Sequence, residues 1–333
     1  MTIQQFKTFA IKELSSSGLQ EASAPSEVPL SSSENTFPDK NAFQSSPTPA
    51  LDVSVIMEHF LKMTKTSLLL NATRELSAEE ENVLRAALEK RKTGLPVAYI
   101  TGHKEFYGYD FFVTPDVLIP KPDTEILVEK ALDVIIEKMD ARPEIVLSIC
   151  DMCTGSGCIG ISVLKQLLEE YKISSGSLPK LTMCDISGAA LEIAQKNART
   201  LLPPEEFEAI RFIQTNLFSE VDYTFDLILT NPPYVPAKMT DELLKDGRNE
   251  PRLALDGDVG IFGEPADSDD GLELIRRLIP ESYNHLAGNG VILMETGEYN
   301  AEKASDLAKE AGFRNVKIHR DLEGQLRVTE GIR

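Results

Sequence analysis

Apolar positions recur along this chain with a helical period at its start and as short continuous runs later on. Ile3, Phe6, Ala10 and Leu14 share one face of a helix over residues 2–17. The same spacing returns in Val55, Ile56, His59, Phe60 and Met63, and again in Val83, Leu84, Ala87 and Leu88. Ser77 and Glu80 have the spacing of a capping box ahead of that last pattern, and Gly94-Leu95-Pro96 stops it. Residues 18–50, rich in Ser and Pro and without periodicity, read as a flexible insertion.

From Thr124 onward helical and strand patterns alternate. Strands are expected near 145–150, 180–185, 209–214, 225–230 and 290–295. Helices are expected from Thr124 to about Met139, near 158–171, 187–200 and 269–286, and near 300–311. Alternation of this kind implies an α/β fold with a doubly wound, Rossmann-like parallel sheet that binds ligands beyond its C-terminal strand ends. Phe106 to Ile119, aromatic and β-branched around Gly108, suggests a hairpin. The expected domains are a helical one at 1–95, a linking β-hairpin at 96–120 and the α/β domain at 121–333. Residues 256–270, rich in Gly and Asp, look like a surface loop.

Composition narrows the function. A formal charge of −19 over 333 residues argues against broad binding to a phosphate backbone, and no Lys/Arg block supplies a local basic patch. Direct nucleic-acid binding is therefore not expected, and an acidic surface suits a basic protein partner better. No apolar run is long enough to span a membrane, and the first residues lack a signal-peptide pattern, so a cytoplasmic location is expected. Cys150 and Cys153 have C-x-x-C spacing without a second pair, and the four histidines are scattered. No metal site is expected.

Two turns carry the candidate chemistry. Phe225 to Thr230 reads as a buried strand, and Asn231-Pro232-Pro233-Tyr234 follows it. The Asn side-chain oxygen and a proline carbonyl can accept both hydrogens of a planar NH2 group, while proline offers no competing N–H. Tyr234 offers a flat face to such a group. The second turn, Asp151-Met152-Cys153-Thr154-Gly155-Ser156-Gly157, lies between a strand and a helix. Its glycines let a ligand approach the backbone at a helix N-terminus, and Asp185 ends the next strand at a distance suited to ribose hydroxyls. The glycines alone do not separate NAD from S-adenosylmethionine. The Asn-Pro-Pro-Tyr turn does, because hydride transfer has no use for an NH2 clamp.

From about Leu51 to the C-terminus the chain resembles the HemK/PrmC family of glutamine-N5 methyltransferases, with a first helix matched before residue 18. The likeness runs through Gly94 to Gly102, Glu105-Phe106-Tyr107-Gly108, Leu118-Ile119-Pro120-Lys121-Pro122-Asp123-Thr124-Glu125, both turns, and Glu250-Pro251-Arg252-Leu253-Ala254-Leu255. Arg320-Asp321-Leu322 with Arg327-Val328 resembles the family's closing hairpin. The resemblance implies a class I methyltransferase domain that uses S-adenosylmethionine to modify the Gly-Gly-Gln loop of class I peptide chain release factors. It also implies an N-terminal bundle that docks them. Asn231, Pro232, Pro233 and Tyr234 would hold the glutamine amide. Cys153, Thr154, Gly155, Ser156 and Gly157 would wrap the cofactor's methionine part, Asp185 its ribose, and Asn216 and Leu217 its adenine, with Asn231 at the methyl.

Three positions depart from the family pattern. Cys153 stands where a glycine is usual, Lys121 replaces an arginine, and Asn216 replaces an acidic residue. Asn can still accept from an adenine amino group. A nucleic-acid amine methyltransferase and a non-catalytic cofactor-binding module remain as alternatives. Asp185 has a competing role as a helix cap, and Phe106 and Tyr107 as hairpin core.

Overall fold

The computed structural model describes residues 1–16, 48–246, 249–260, 263–264, 266 and 268–333. Of the expected insertion, residues 18–47 lie outside the described residues, whereas Pro49 already opens a helix. The chain divides into two compact units, Met1–Thr101 with Leu243–Asn249, and Gly102–Glu242 with Glu250–Arg333.

The first unit holds α1 (Ile3–Ser16), α2 (Pro49–Leu61), α3 (Lys65–Leu70), α4 (Ala78–Lys92) and α5 (Val97–Thr101). Ile3, Phe6, Ala10 and Leu14 pack against Val53, Ile56, Met57, Leu84, Ala87 and Leu88. Val55 and Val83 do not join them and remain exposed, because α2 and α4 present Val53-Ile56-Met57 and Leu84-Ala87-Leu88 instead. Ser77 and Glu80 form the capping box in both directions.

The second unit begins with a hairpin of β1 (His103–Phe106) and β2 (Tyr109–Phe112). Its turn residues Tyr107 and Gly108 both have positive φ, 52° and 79°, the requirement of a two-residue type I′ turn. Then come α6 (Glu125–Ala141), β3 (Ser148–Met152), α7 (Cys158–Glu169), β4 (Lys180–Asp185), α8 (Gly188–Leu201) and α9 (Pro204–Ala209). These are followed by β5 (Arg211–Gln214), β6 (Phe225–Thr230) and α10 (Ala237–Leu243). The chain closes with α11 (Glu273–His285), β7 (Leu286–Glu295), α12 (Ala301–Glu310), β8 (Arg314–Arg320) and β9 (Leu326–Ile332). Among the described residues no helix is long and apolar enough to cross a membrane.

Seven strands form one sheet in the order β5-β4-β3-β6-β7-β9-β8. The first five are parallel, but β9 runs antiparallel to both β7 and β8. The sheet is therefore mixed, not wholly parallel as the alternation suggests, because a short connection can only return its strand antiparallel. The inner strands are covered on both faces. Leu227 and Leu229 point into a core shared with α6, α7 and α8, and Ile228 into one shared with α11 and α12. Burial on both faces explains the continuous apolar runs. From β3 the chain steps to β4 and β5 on one side, then returns to β6 and β7 on the other. The crevice beyond β3 and β6 is the switch point of the sheet.

Candidate active site

Both turns lie at that switch point, and one cavity of ≈ 670 Å³ joins them. Cys153, Thr154, Gly155, Ser156, Asp185, Asn216, Leu217, Asn231 and Pro233 line it. Gly157, Pro232 and Tyr234 are not among its lining residues. The volume lies in the range of small-molecule and cofactor sites.

The Gly-rich turn is shaped by two carboxylates. Asp151 is fully buried, and its Oδ2 accepts from the Thr154 hydroxyl at 2.7 Å and from Gly160 N–H at 3.0 Å. Burial pushes this carboxyl up to about 7. Asp185 Oδ2 accepts Gly155 N–H at 2.9 Å, and its Oδ1 accepts Ser187 N–H at 2.9 Å. The α8 cap is Ser187 itself, whose side chain accepts from Ala190 N–H, so Asp185 braces the cap without being it. Asn197, buried on α8, donates to the carbonyls of Ser156 and Phe112 and accepts from Phe112 N–H. That one amide ties the turn to the hairpin. Phe106 and Phe111 are core residues, in keeping with the packing role for Phe106.

Cys153 has φ 59°, so the strain that its family position implies is present and tolerated. A Cβ added at Gly155 would meet nothing within 4 Å, which leaves that backbone open to a ligand. At Gly157 an added Cβ would fall 2.8 Å from Ile161 Cδ1, so this glycine serves close packing of α7.

Across the cavity, Asn231 Nδ2 donates to Thr124 Oγ1 at 3.2 Å. Tyr234 is tied to the strand beside the turn. Its hydroxyl donates to Glu295 Oε1 at 3.1 Å, and its ring packs against the second core. Glu295 is 1 % exposed, and burial pushes its carboxyl up to about 7. The Asn-Pro-Pro-Tyr turn is clamped from behind. Val235 N–H donates to the Leu255 carbonyl and the Val235 carbonyl accepts Gly257 N–H, while Asn300 Nδ2 donates to the Tyr234 carbonyl at 2.9 Å. Gly271, at φ 72°, lies so close that an added Cβ would stand 2.0 Å from Tyr234 O. Asp258 accepts Gly271 N–H and Ala237 N–H. The segment expected as a surface loop is thus not all surface: Asp256, Gly257 and Asp258 are buried, because the turn rests on them. Its residues 261, 262, 265 and 267 lie outside the described residues.

At the far wall Asn216 Oδ1 accepts from Arg277 at 3.1 Å. Lys121, also on the lining, reaches Glu250 Oε1 at 2.7 Å. Asp151, Asn197, Thr124 and Glu295 were not singled out by sequence. Thr124 and Asp151 lay inside motifs that could have flagged them, whereas Asn197 and Glu295 lay in none. Among the described residues no cluster of three His, Cys, Asp or Glu is placed to hold a metal.

A seven-stranded sheet with an antiparallel closing hairpin, and a cavity shared by a Gly-rich turn and an Asn-Pro-Pro-Tyr turn, define a class I methyltransferase that uses S-adenosylmethionine. The residues present suit that cofactor: an acceptor at Asp185, open backbone at Gly155 and an apolar wall at Leu217. The profile described as PrmC N-terminal domain matches residues 40–102, and that described as Methyltransferase small domain matches 126–257. A release factor glutamine methyltransferase of Leptospira interrogans is 36% identical over 284 residues, covering 84% of this chain and 90% of its own. One from Koribacter versatilis is 34% identical over 288 residues, covering 86% of this chain and 91% of its own. The Haemophilus influenzae enzyme of the same name is 34% identical over 285 residues, covering 85% and 91%. The chain belongs to the release factor glutamine methyltransferase family.

Proposed function

We propose that this protein transfers the methyl group of S-adenosylmethionine to the side-chain amide nitrogen of the glutamine in a release factor's Gly-Gly-Gln loop. The observation that carries the reading is Asn231 on the wall of the cavity that Gly155 and Asp185 also line. With Nδ2 given to Thr124, Oδ1 is left as an acceptor for a substrate N–H. The Pro232 carbonyl, rigid but on a residue outside the cavity lining, is the acceptor proposed for the second hydrogen. An amide nitrogen is a poor nucleophile, and positive charge develops on it as a methyl arrives. Fixed acceptors orient it and stabilise that charge, so much of the acceleration comes from positioning.

Bound cofactor supplies the electrophilic sulfonium methyl. Asp185 accepts from ribose hydroxyls with lone pairs not used by Gly155 and Ser187. Cys153 to Ser156 would wrap the methionine part and Leu217 would flank the adenine. Asn216 shares its Oδ1 between Arg277 and the adenine amino group. Tyr234 holds the turn in place through Glu295. The helical unit docks the partner, and a cytoplasmic location goes with that substrate.

The test is labelled cofactor with purified class I release factors, alongside DNA and RNA. Label on the intact release factor, abolished by Gln→Ala in its Gly-Gly-Gln loop, is the expected result. Label on nucleic acid would move the assignment to an exocyclic amine, and cofactor binding without any turnover to a non-catalytic module.

A further inference from the structure

We propose that Thr124, aimed by Glu295, is the positioning residue that fixes which way the Asn231 amide faces. The inference rests on the role given to Asn231 above. Thr124 is 2 % exposed at the turn that leads into α6, and Asn231 Nδ2 lies 3.2 Å from its hydroxyl oxygen. Glu295 ends the neighbouring strand, β7. Thr230 pairs with Met294 in the parallel β6–β7 ladder, so Asn231 and Glu295 leave the sheet side by side. Tyr234 donates to Glu295 Oε1, while the buried Oε2 has no donor in good hydrogen-bond geometry. Burial raises this carboxyl, and the nearby Thr124 hydroxyl and Arg327 act against that rise.

The donor count then decides the geometry. Above about pH 7, where Glu295 is ionised, its carboxylate only accepts, and a hydroxyl has one hydrogen and two lone pairs. If Thr124 turns its hydrogen toward Glu295, it shows Asn231 only lone pairs. Asn231 must answer with Nδ2, which sends Oδ1 toward the substrate. Without the hydroxyl the two amide orientations lose their distinction. The flipped one sets an NH2 against the substrate's own NH2, donor against donor, and cannot support transfer.

Thr124→Val removes the hydroxyl at nearly constant shape, and Thr124→Ser restores it. Two readouts on the full chain are needed. One is turnover with a release factor. The other needs no substrate: exchange of the Asn231 side-chain amide protons, followed by NMR with ¹⁵N-asparagine labelling and assigned by Asn231→Asp. In Thr124→Val, exchange is expected to quicken at least tenfold and kcat to fall at least tenfold, with cofactor affinity within threefold. Thr124→Ser should return both to within threefold. The proposal is overturned if Thr124→Val leaves exchange within threefold of wild type, or if Thr124→Ser is as impaired as Thr124→Val. Should Thr124→Val not fold, Glu295→Gln, compared with wild type above about pH 7 where Glu295 is ionised, removes the charge that aims the hydroxyl and is read by the same exchange criterion. A wild-type protein that methylates no release factor would sink the substrate reading alone, since the exchange comparison still decides the orientation.

Discussion

Asp185 Oδ2 accepts the backbone N–H of Gly155 at 2.9 Å, so the acidic end of β4 is built into the turn that follows β3. Its second oxygen holds Ser187 N–H at the start of α8. One side chain therefore shapes the turn and offers lone pairs to a ligand. Asp185→Ala is expected to weaken cofactor binding about ten- to a hundredfold, since a hydrogen bond to a charged group contributes about 1.5 to 3 kcal/mol. It should also lower the melting temperature, because two backbone donors lose their acceptor. Calorimetry giving an affinity within threefold of wild type would leave Asp185 with the bracing role alone.

Cys153 sits at φ 59°, where a side chain costs roughly 1–2 kcal/mol relative to the right-handed region. Cys153→Ala removes the thiol and keeps the strain; Cys153→Gly removes both. The glycine variant is expected to be the more stable of the two by about 1 kcal/mol, after allowing for glycine's greater unfolded entropy. Denaturant unfolding of the pair measures the difference directly. An alanine variant at least as stable as the glycine one would show that this backbone is not strained.

How much of this was readable beforehand depends on the kind of interaction. The expected strands at 180–185 and 225–230 coincide with β4 and β6, because inner strands covered on both faces have continuous apolar runs. The expected 145–150 strand begins instead at Ser148, since Ile145 and Val146 are apolar yet 41% exposed. The two turns were legible as motifs, and their meeting at one cavity followed from the strand order. The polar scaffold behind them was not. Thr124 and Asn231 stand 107 positions apart, and Asn197 reaches Phe112 across 85. Single buried polar residues leave no periodic trace, and their partners are set only once the sheet has formed.

Burial pushes the carboxyls of Asp151 and Glu295 up to about 7, from ordinary values of 3.8 and 4.5. The folded state therefore keeps protons that the unfolded chain has already released. Stability from these groups is complete below the unfolded values and is lost as pH rises through about 7. Glu80, Asp270 and Glu330, held low by Arg74, Arg276 and His319, act in the opposite sense at more acid pH. Wild-type stability should thus decline between about pH 5 and 7. Glu295→Gln should flatten that decline by up to about 1.4 kcal/mol per pH unit, one proton's worth. Unfolding free energies at several pH values decide it, and parallel slopes for the two proteins would mean that Glu295 is ionised throughout.

Asn231 is the position where binding and chemistry should separate most clearly. Its Nδ2 is engaged by Thr124, and its Oδ1 is the acceptor proposed for the substrate. Removing one acceptor that acts on developing charge typically costs about 3 to 4 kcal/mol of transition-state stabilisation. Asn231→Ala is therefore expected to lower single-turnover transfer by about two to three orders of magnitude. Cofactor affinity should stay within about tenfold, because Asp185 and the Gly-rich turn line another part of the cavity. Asn231→Asp adds a finer distinction. A carboxylate keeps an acceptor toward the substrate but can no longer donate to Thr124, whose hydroxyl would then turn from Glu295 toward the new carboxylate. If accepting is what matters, the Asp variant should retain more activity than the Ala variant. An Ala variant turning over within threefold of wild type would remove Asn231 from the chemistry, whatever the fate of the Asp variant.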